Sequence, residues 1–269
     1  MTQGFIPRMR IEPLYLLFSF FGGLVLLFII APLAGMVLQT SVSEVSGTAL
    51  EPEVASSIWL TLWTSMAATL ILGVISVPFA YLLARKSFPF RRLVLALVDI
   101  PIVIPHSAAG IAILGVVSRN TPLGSAAESM GFHFVGGAAG IMVAMAFVSI
   151  PFLINAARDG FAAVPERLEK AALSLGASPT RVFFSISVPL AWRAILSGFV
   201  LMWARGLSEF GAVVVVAYHP IVTPVLIYER FGAFGLQSAR PISVLFIGVC
   251  LVFFIVIRLL AREPKDAVR

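Results

Sequence analysis

The chain has 269 residues, of which 59% are hydrophobic and 12% charged, with 19 Lys and Arg against 13 Asp and Glu. Soluble domains carry about 25% charged residues, so the composition excludes an ordinary soluble protein and indicates one that crosses a membrane several times. The single cysteine, Cys250, excludes an intrachain disulfide and a cysteine-rich metal site.

Long uncharged stretches predict six membrane spans, because about 20 apolar residues cross the hydrocarbon core of a bilayer. The predicted spans are Pro13–Ser43, Val54–Ala84, roughly 93–118, roughly 135–157, a fifth that begins near Pro189, and Ile242–Ile257. Phe210–Tyr228 is also uncharged, but Pro220 and Pro224 interrupt it. We interpret this stretch as the end of the fifth span followed by a broken or re-entrant piece.

The placement of Lys and Arg favours six spans in a plasma membrane with both termini in the cytoplasm, because cations concentrate in cytoplasmic loops. The cations placed inside are Arg8, Arg10, Arg85, Lys86, Arg91, Arg92, Arg158, Arg167, Lys170, Arg181, Arg193, Arg258, Arg262, Lys265 and Arg269, whereas Arg119, Arg230 and Arg240 fall outside. A seventh span would move the basic C-terminal tail outside. We treat residues 1–269 as a single transmembrane domain.

Two absences from the sequence bear on the mechanism. There is no internal repeat, although many secondary transporters contain inverted repeats, and this favours a half-pore that a second copy completes. There is also no G-x-x-x-x-G-K-[ST] phosphate-binding loop. If transport is driven by ATP, the ATPase is therefore another polypeptide.

Hydroxyl side chains follow one face of the second predicted span. Thr61, Ser65 and Thr69 recur at steps of four residues. Hydroxyls on such a face line a water-filled path or bind neighbouring helices together, and the sequence leaves both interpretations open.

Ionisable residues inside predicted spans are costly, so they usually pair with one another or serve a path. Arg205 and Glu209 stand four residues apart, which predicts that they share one helix face. The pair either guides an anion or locks helices together as a structural ion pair. Asp99 lies near Pro101 and Pro105, which indicate a kinked or unwound helix. We expect Asp99 to bond freed backbone groups or a cation on another helix, with a proton-relay role as an alternative.

The three histidines give no pattern typical of a metal site. His106 follows Pro105 without a cluster of ligand residues around it, so we interpret it as a hydrogen-bonding helix residue. His133 and His219 fall in predicted outer loops and lie far apart in the sequence.

Residues 165–189 form a polar, amphipathic segment between the fourth and fifth spans. Pro165 and Gly176 suit the start and the end of a helix. An apolar stripe recurs at helical spacing between them, formed by Leu168, Ala171, Ala172 and Leu175. Glu166 stands four residues before Lys170, the favourable direction for an ion pair on a helix. Without further information, an ordinary interfacial helix would explain this pattern equally well.

A second short helix is predicted directly after Gly176. Ser178 followed by Pro179 is typical of an N-cap and the first residue of a helix. Two short helices joined at a glycine would form a compact projection that another protein could contact.

The spacing of Lys170-Ala171-Ala172, Gly176 and Ile186-Ser187-Val188-Pro189 resembles the coupling loop of ABC importer permeases. The family pattern is E-A-A, three residues, G, nine residues, and I-x-L-P. Lys170 replaces the glutamate, with Glu169 one residue earlier, and Val188 replaces the leucine. The resemblance implies that this loop docks on a cytoplasmic ATPase through Glu169, Lys170, Ala171, Ala172, Gly176, Ile186 and Pro189.

Three further segments extend this resemblance over most of the chain. The segment 78–86 (PFAYLLARK) resembles many importer permeases, and the segments 99–106 (DIPIVIPH) and 203–212 (WARGLSEFGA) resemble the branch that moves molybdate, tungstate and sulfate. The sequences at 217–220 (AYHP) and 228–230 (YER) are most similar to molybdate/tungstate members.

The resemblance implies an all-α, six-helix permease of the type I ABC importer kind that imports molybdate or tungstate and performs no bond chemistry. Its implied partners are a second copy, two cytoplasmic ABC ATPases, an extracytoplasmic oxyanion-binding protein and the lipid bilayer, with no nucleic acid. We expect this chain to bind no cofactor, since ATP and Mg would be used by the ATPase. The candidate translocation path or gate comprises Thr61, Ser65, Thr69, Asp99, Arg205 and Glu209.

Two alternatives stay open at this point. One is a sulfate or thiosulfate permease of the same kind. The other is an ion-driven transporter or channel that uses Asp99 and Glu209 as proton sites. An intramembrane enzyme is disfavoured, because the sequence contains no paired catalytic carboxylates, His-rich metal motif or Ser–His constellation.

Overall fold

The computed structural model describes residues 13–260, and every regular element in this range is helical, which confirms the predicted all-α fold. The helices are α1 Pro13–Leu38, α2 Val42–Ala49, α3 Pro52–Arg85, α4 Arg91–Val103, α5 His106–Val117, α6 Pro122–Ser129, α7 Ala138–Ala163, α8 Glu166–Ser174, α9 Pro179–Val182, α10 Val188–Leu207, α11 Gly211–Val216, α12 Thr223–Phe234 and α13 Leu236–Leu260. A π-helical turn, Phe183–Ser187, joins α9 to α10. Arg8, Arg10, Arg262, Lys265 and Arg269, which we placed inside, lie outside the described residues.

Five helical segments of the described range are long and apolar enough to cross a membrane: α1, α3, α7, the stretch Pro179–Leu207, and α13. The predicted third span is not one continuous helix, because α4 and α5 meet at a bend of 114°. Ile104 is extended there, with a ψ of 147°. A residue before proline avoids the helical region, and Pro105 has no N–H to continue the helix. Counting the bent pair as one span gives six spans, as predicted.

The first predicted span ends earlier than the hydropathy indicates. α1 stops at Leu38, and Ser41 begins α2 with a capping box in which its hydroxyl accepts from the backbone N–H of Glu44. The stretch 210–228 is broken as predicted, since a loop separates α11 from α12, but it does not contain the end of the fifth span, because α10 already ends at Leu207.

α7 lies at the centre of the chain and packs against α3, α4, α5, α10 and α11. Small residues allow close approach, which is typical of membrane helices. A Cβ atom added to Gly198 of α10 would lie 2.9 Å from Leu153 of α7, and one added to Gly73 of α3 would overlap the ring of Phe199. The helices α3, α7 and α10 therefore form a tight bundle.

We expect Gly110→Val to lower the free energy of unfolding by about 1–3 kcal/mol, the usual cost of overpacking. An added Cβ would lie 2.8 Å from the Cβ of Val215 and 3.0 Å from the carbonyl oxygen of Ala212, where α5 packs against α11. Gly115→Val is the matched control, because the same helix has nothing within 4 Å of that position. Unfolding in mixed micelles by SDS titration measures both, and equal stability of the two variants would contradict the prediction.

Candidate functional site

The connection between α7 and α10 begins with a helix that stops sharply at Gly176, as predicted. Gly176 has a φ of +87°, and its N–H donates to the carbonyl of Leu173 at 3.0 Å. The N–H of Ala177 donates to the carbonyl of Ala172 at 3.0 Å. These two bonds define a Schellman motif, which favours glycine at the left-handed position.

The second half of the connection also follows the prediction. The Ser178 hydroxyl accepts from the N–H of Arg181 at 3.3 Å and caps α9, whose first residue is Pro179. The π-helical turn then leads into α10, with Ile186 half-buried and Pro189 exposed in the first turn.

The predicted apolar stripe of α8 faces away from the rest of the chain. Leu168 is 41% exposed and Leu175 is 89% exposed. Ala171 is exposed and Ala172 half-buried. Lys170 and Glu166 form the predicted ion pair at 2.8 Å, in solvent. The helix therefore offers leucines, small residues and charges on a surface that a partner could contact.

Glu169, which the resemblance groups with the docking residues, turns its side chain toward the bundle. It is the one residue of α8 that is buried, and its carboxylate accepts from Arg85 Nε at 3.0 Å and from Ser187 Oγ at 2.7 Å. Burial raises the pKa of Glu169, but hydrogen bonds from Arg85 and Ser187 outweigh that effect and hold the pKa below its ordinary 4.5. The carboxylate is therefore charged at neutral pH.

The lowered pKa predicts how stability changes in acid. As pH falls, Glu169 takes up a proton at a higher pH in the unfolded chain than in the folded chain. The charged carboxylate therefore stabilises the fold fully above about pH 4.5, and this stabilisation is lost as pH falls through the lower pKa of the folded chain. We expect the thermal stability of the purified protein to fall in this window, and Glu169→Gln to flatten that part of the profile. Glu166→Gln is a control for pH effects at an exposed site, and an unchanged profile in Glu169→Gln would contradict the prediction.

A second group of charged residues lies near the far end of α10. Arg205 Nη2 lies 2.9 Å from Glu209 Oε2, and His106 Nδ1 lies 3.3 Å from the same oxygen. Glu209 Oε1 accepts from the N–H of Ala212 at 2.8 Å in the first turn of α11. The predicted pair exists, but Glu209 follows the end of α10 at Leu207 and does not share its helix.

This cluster joins the break in the third span to the end of α10. Arg205 Nη2 lies 3.0 Å and 2.8 Å from the two ring nitrogens of His106, which is the first residue of α5. Glu209 is fully buried and balances the charge of Arg205. The geometry is that of a structural ion pair, and a role in guiding an anion stays a prediction.

The hydroxyl residues of α3 lie inside the chain. Thr61 Oγ1 donates to the carbonyl of Ser57 at 2.7 Å and accepts from the N–H of Thr223 at 2.9 Å, so it joins α3 to the start of α12. Ser65 and Thr69 donate to carbonyls of their own helix at 2.7 and 2.8 Å. All three are at most 2% exposed, and a role in a path stays a prediction.

Asp99 makes neither of the contacts that we expected. Its Oδ1 accepts from Asn155 Nδ2 of α7 at 2.7 Å, so its described partner is an amide and not a cation or the backbone. Within residues 13–260, no group of three His, Cys, Asp or Glu residues is arranged to hold a metal ion.

Residues 76–265 match the sequence model of a family described as "Binding-protein-dependent transport system inner membrane component". The chain belongs to this family. The permease is 43% identical, over 96% of its own length and 100% of the relative, to the molybdate/tungstate transport system permease of Thermococcus kodakarensis. It is 35% identical, over 76% of its own length and 72% of the relative, to a probable sulfate transport permease of Chlorokybus atmophyticus.

A solved bacterial ABC transporter, which imports the polysaccharide alginate, contains a chain with the same fold. The TM-score is 0.72 at 16% identity, covering 94% of the permease and 96% of that chain. The permease is therefore a multi-pass membrane transport protein with the architecture of ABC importer subunits.

The partners of Arg85, Ser187 and His106 could not be predicted from the sequence, although His106 is the hydrogen-bonding helix residue that we expected. Two of these contacts join distant parts of the chain, since Arg85 and Glu169 are 84 residues apart and His106 and Arg205 are 99 apart, whereas Ser187 and Glu169 are 18 apart. No local pattern indicates such pairs.

Proposed function

We propose that the permease is the membrane-spanning subunit of an ATP-driven importer that carries molybdate or tungstate into the cell. The observation that carries this proposal is the similarity to a molybdate/tungstate permease over the whole length of that relative. Similarity to the sulfate permease is weaker and covers less of both chains, which makes sulfate the alternative cargo.

The proposed assembly contains two copies of the permease around one path, with both termini of each copy in the cytoplasm. Two ATPases dock on residues 165–189, where the exposed face of α8 carries Lys170, Ala171 and Leu175. An extracytoplasmic binding protein delivers the oxyanion. This chain binds no cofactor, and the ATPases use ATP and Mg.

Alternating access follows from a difference in affinity. ATP can move the spans only if the ATPases bind more tightly to one conformation of the permease than to the other. ATP binding favours an outward-open arrangement, and hydrolysis resets it. Because a path that binds its cargo tightly releases it slowly, selectivity for one oxyanion resides mainly in the binding protein.

The test is uptake into vesicles that contain the permease, its ATPase and its binding protein, with molybdate, tungstate and sulfate in competition. We expect uptake of molybdate or tungstate that stops when ATP is omitted. A preference for sulfate would agree with the ATP-driven mechanism but contradict the assignment of molybdate or tungstate as the cargo. Uptake without ATP would overturn the ATP-driven mechanism in favour of an ion-driven transporter, for which Asp99→Asn would change the pH dependence.

A further inference from the structure

Three parts of the chain meet at the guanidinium of Arg85, the last residue of α3. Arg85 Nε lies 3.0 Å from both carboxylate oxygens of Glu169, and Nη2 lies 2.9 Å from Oε1. Nη2 also donates to the carbonyl of Val164, just after the end of α7, at 2.9 Å. The two charged side chains are only 7% and 9% exposed.

Two hydroxyls complete the surroundings of the carboxylate. Ser187 Oγ donates to Glu169 Oε1 at 2.7 Å, and Tyr81 Oη donates to Oε2 at 3.3 Å. Ser187 is the last residue of the π-helical turn that leads into α10. The four residues Tyr81, Arg85, Glu169 and Ser187, which we call the Glu169 network, thus connect α8 to α3, to the end of α7 and to the start of α10.

The rest of α8 is attached loosely. Its leucines are exposed, and its other ion pair, between Glu166 and Lys170, lies within the helix with side chains 55% and 73% exposed. An exposed pair contributes little and can rearrange in water. A buried pair resists separation, because each charge would lose its counter-charge in a poorly solvated place. Glu169 is therefore the firm attachment of α8 to the bundle.

We propose that Arg85 and Glu169 are positioning residues that transmit a displacement of α8 to α3 and α10. This inference rests on the proposed function, in which an ATPase contacts α8 and moves it. The glutamate that the family pattern places at the position of Lys170 is absent, and Glu169 is turned inward, so its charge couples the loop to the permease's own helices. The exposed face of α8 remains available for the ATPase.

The test compares the number of oxyanions transported per ATP hydrolysed in the complete complex of permease, ATPase and binding protein. We expect Glu169→Gln and Arg85→Gln to lower this ratio about tenfold, the effect of losing a charge-assisted hydrogen bond in a buried site. Binding of the ATPase should stay unchanged, because the exposed face of α8 is untouched. Arg85→Lys keeps the charge but not the forked geometry, so it should restore part of the ratio.

Asp159→Asn is the control, since it removes an ion pair with Arg158 at the surface and outside residues 165–189. A ratio in Glu169→Gln equal to that of Asp159→Asn would overturn the proposal, and so would a loss of ATPase binding in Glu169→Gln. If Glu169→Gln does not fold, Ser187→Ala is the second variant, because it removes one hydrogen bond to the carboxylate. It should lower the ratio about threefold, and an unchanged ratio in Ser187→Ala would overturn the proposal. Failure of the proposed function looks different, because the wild-type complex itself would transport without ATP.

Discussion

Gly176→Val is expected to lower ATP-dependent uptake by about 5- to 150-fold while leaving insertion into the membrane intact. A side chain at the left-handed φ of Gly176 costs about 1–3 kcal/mol. This free energy lowers the population of the native turn by about 5- to 150-fold, and uptake should fall in proportion. The variant loses the Schellman bonds that place α9 after α8. A Cβ atom added at Gly176 meets nothing within 4 Å, so the effect comes from the backbone conformation.

Gly131→Val is a closely matched control at the other end of α7. Gly131 has a φ of +83°, follows α6, and is also surrounded by open space. Its N–H donates to the carbonyl of Glu128 at 3.0 Å, and the N–H of Phe132 donates to that of Ala127 at 2.9 Å, so the motif is the same. Both variants should insert equally well, and only Gly176→Val should uncouple ATP hydrolysis from uptake. Equal loss of uptake in both would contradict a special role for the α8–α9 turn.

The second large effect is expected for Glu209→Ala, which should lower the free energy of unfolding by about 3–5 kcal/mol, as when one partner of a buried pair is removed. The substitution leaves Arg205 without its counter-charge beside His106, and the N–H of Ala212 without its acceptor. Glu209→Gln keeps an acceptor for that N–H and should cost less. SDS titration in mixed micelles measures both variants.

The exposed pair of Arg119 and Glu128 serves as the comparison for Glu209. Its atoms lie 3.3 Å apart, with side chains 66% and 36% exposed, so Glu128→Ala should cost at most about 1 kcal/mol. A Glu209→Ala protein as stable as Glu128→Ala would show that the cluster does not hold α5, α10 and α11 together.

Features that depend on neighbours in the sequence could be predicted. The stop at Gly176, the cap at Ser178 and the break before Pro105 are each decided by a few consecutive residues, through the φ that glycine permits, a short hydroxyl side chain, or a missing N–H. Hydropathy likewise located the long helices, because the length of a span is a property of one segment.

Features that depend on distant partners could not be predicted. Helical spacing shows which residues of α8 share a face, but not that this face turns outward and Glu169 inward. That orientation is decided by Arg85, which belongs to another helix. The same holds for Asp99, whose amide partner, Asn155, lies on α7.

Because α3 is long, a small tilt of this helix moves its C-terminal end, at Arg85, by a large distance. Its 34 residues rise about 51 Å, well beyond the roughly 30 Å of hydrocarbon in a bilayer. Thr61 holds it to Thr223 near one end, and Arg85 lies about 36 Å further along. A swing of about 5° around Thr61 would carry Arg85 through about 3 Å at that rise per residue. In the proposed assembly, a small tilt of α3 about Thr61 therefore corresponds to a displacement of about 3 Å at the end that faces the ATPase.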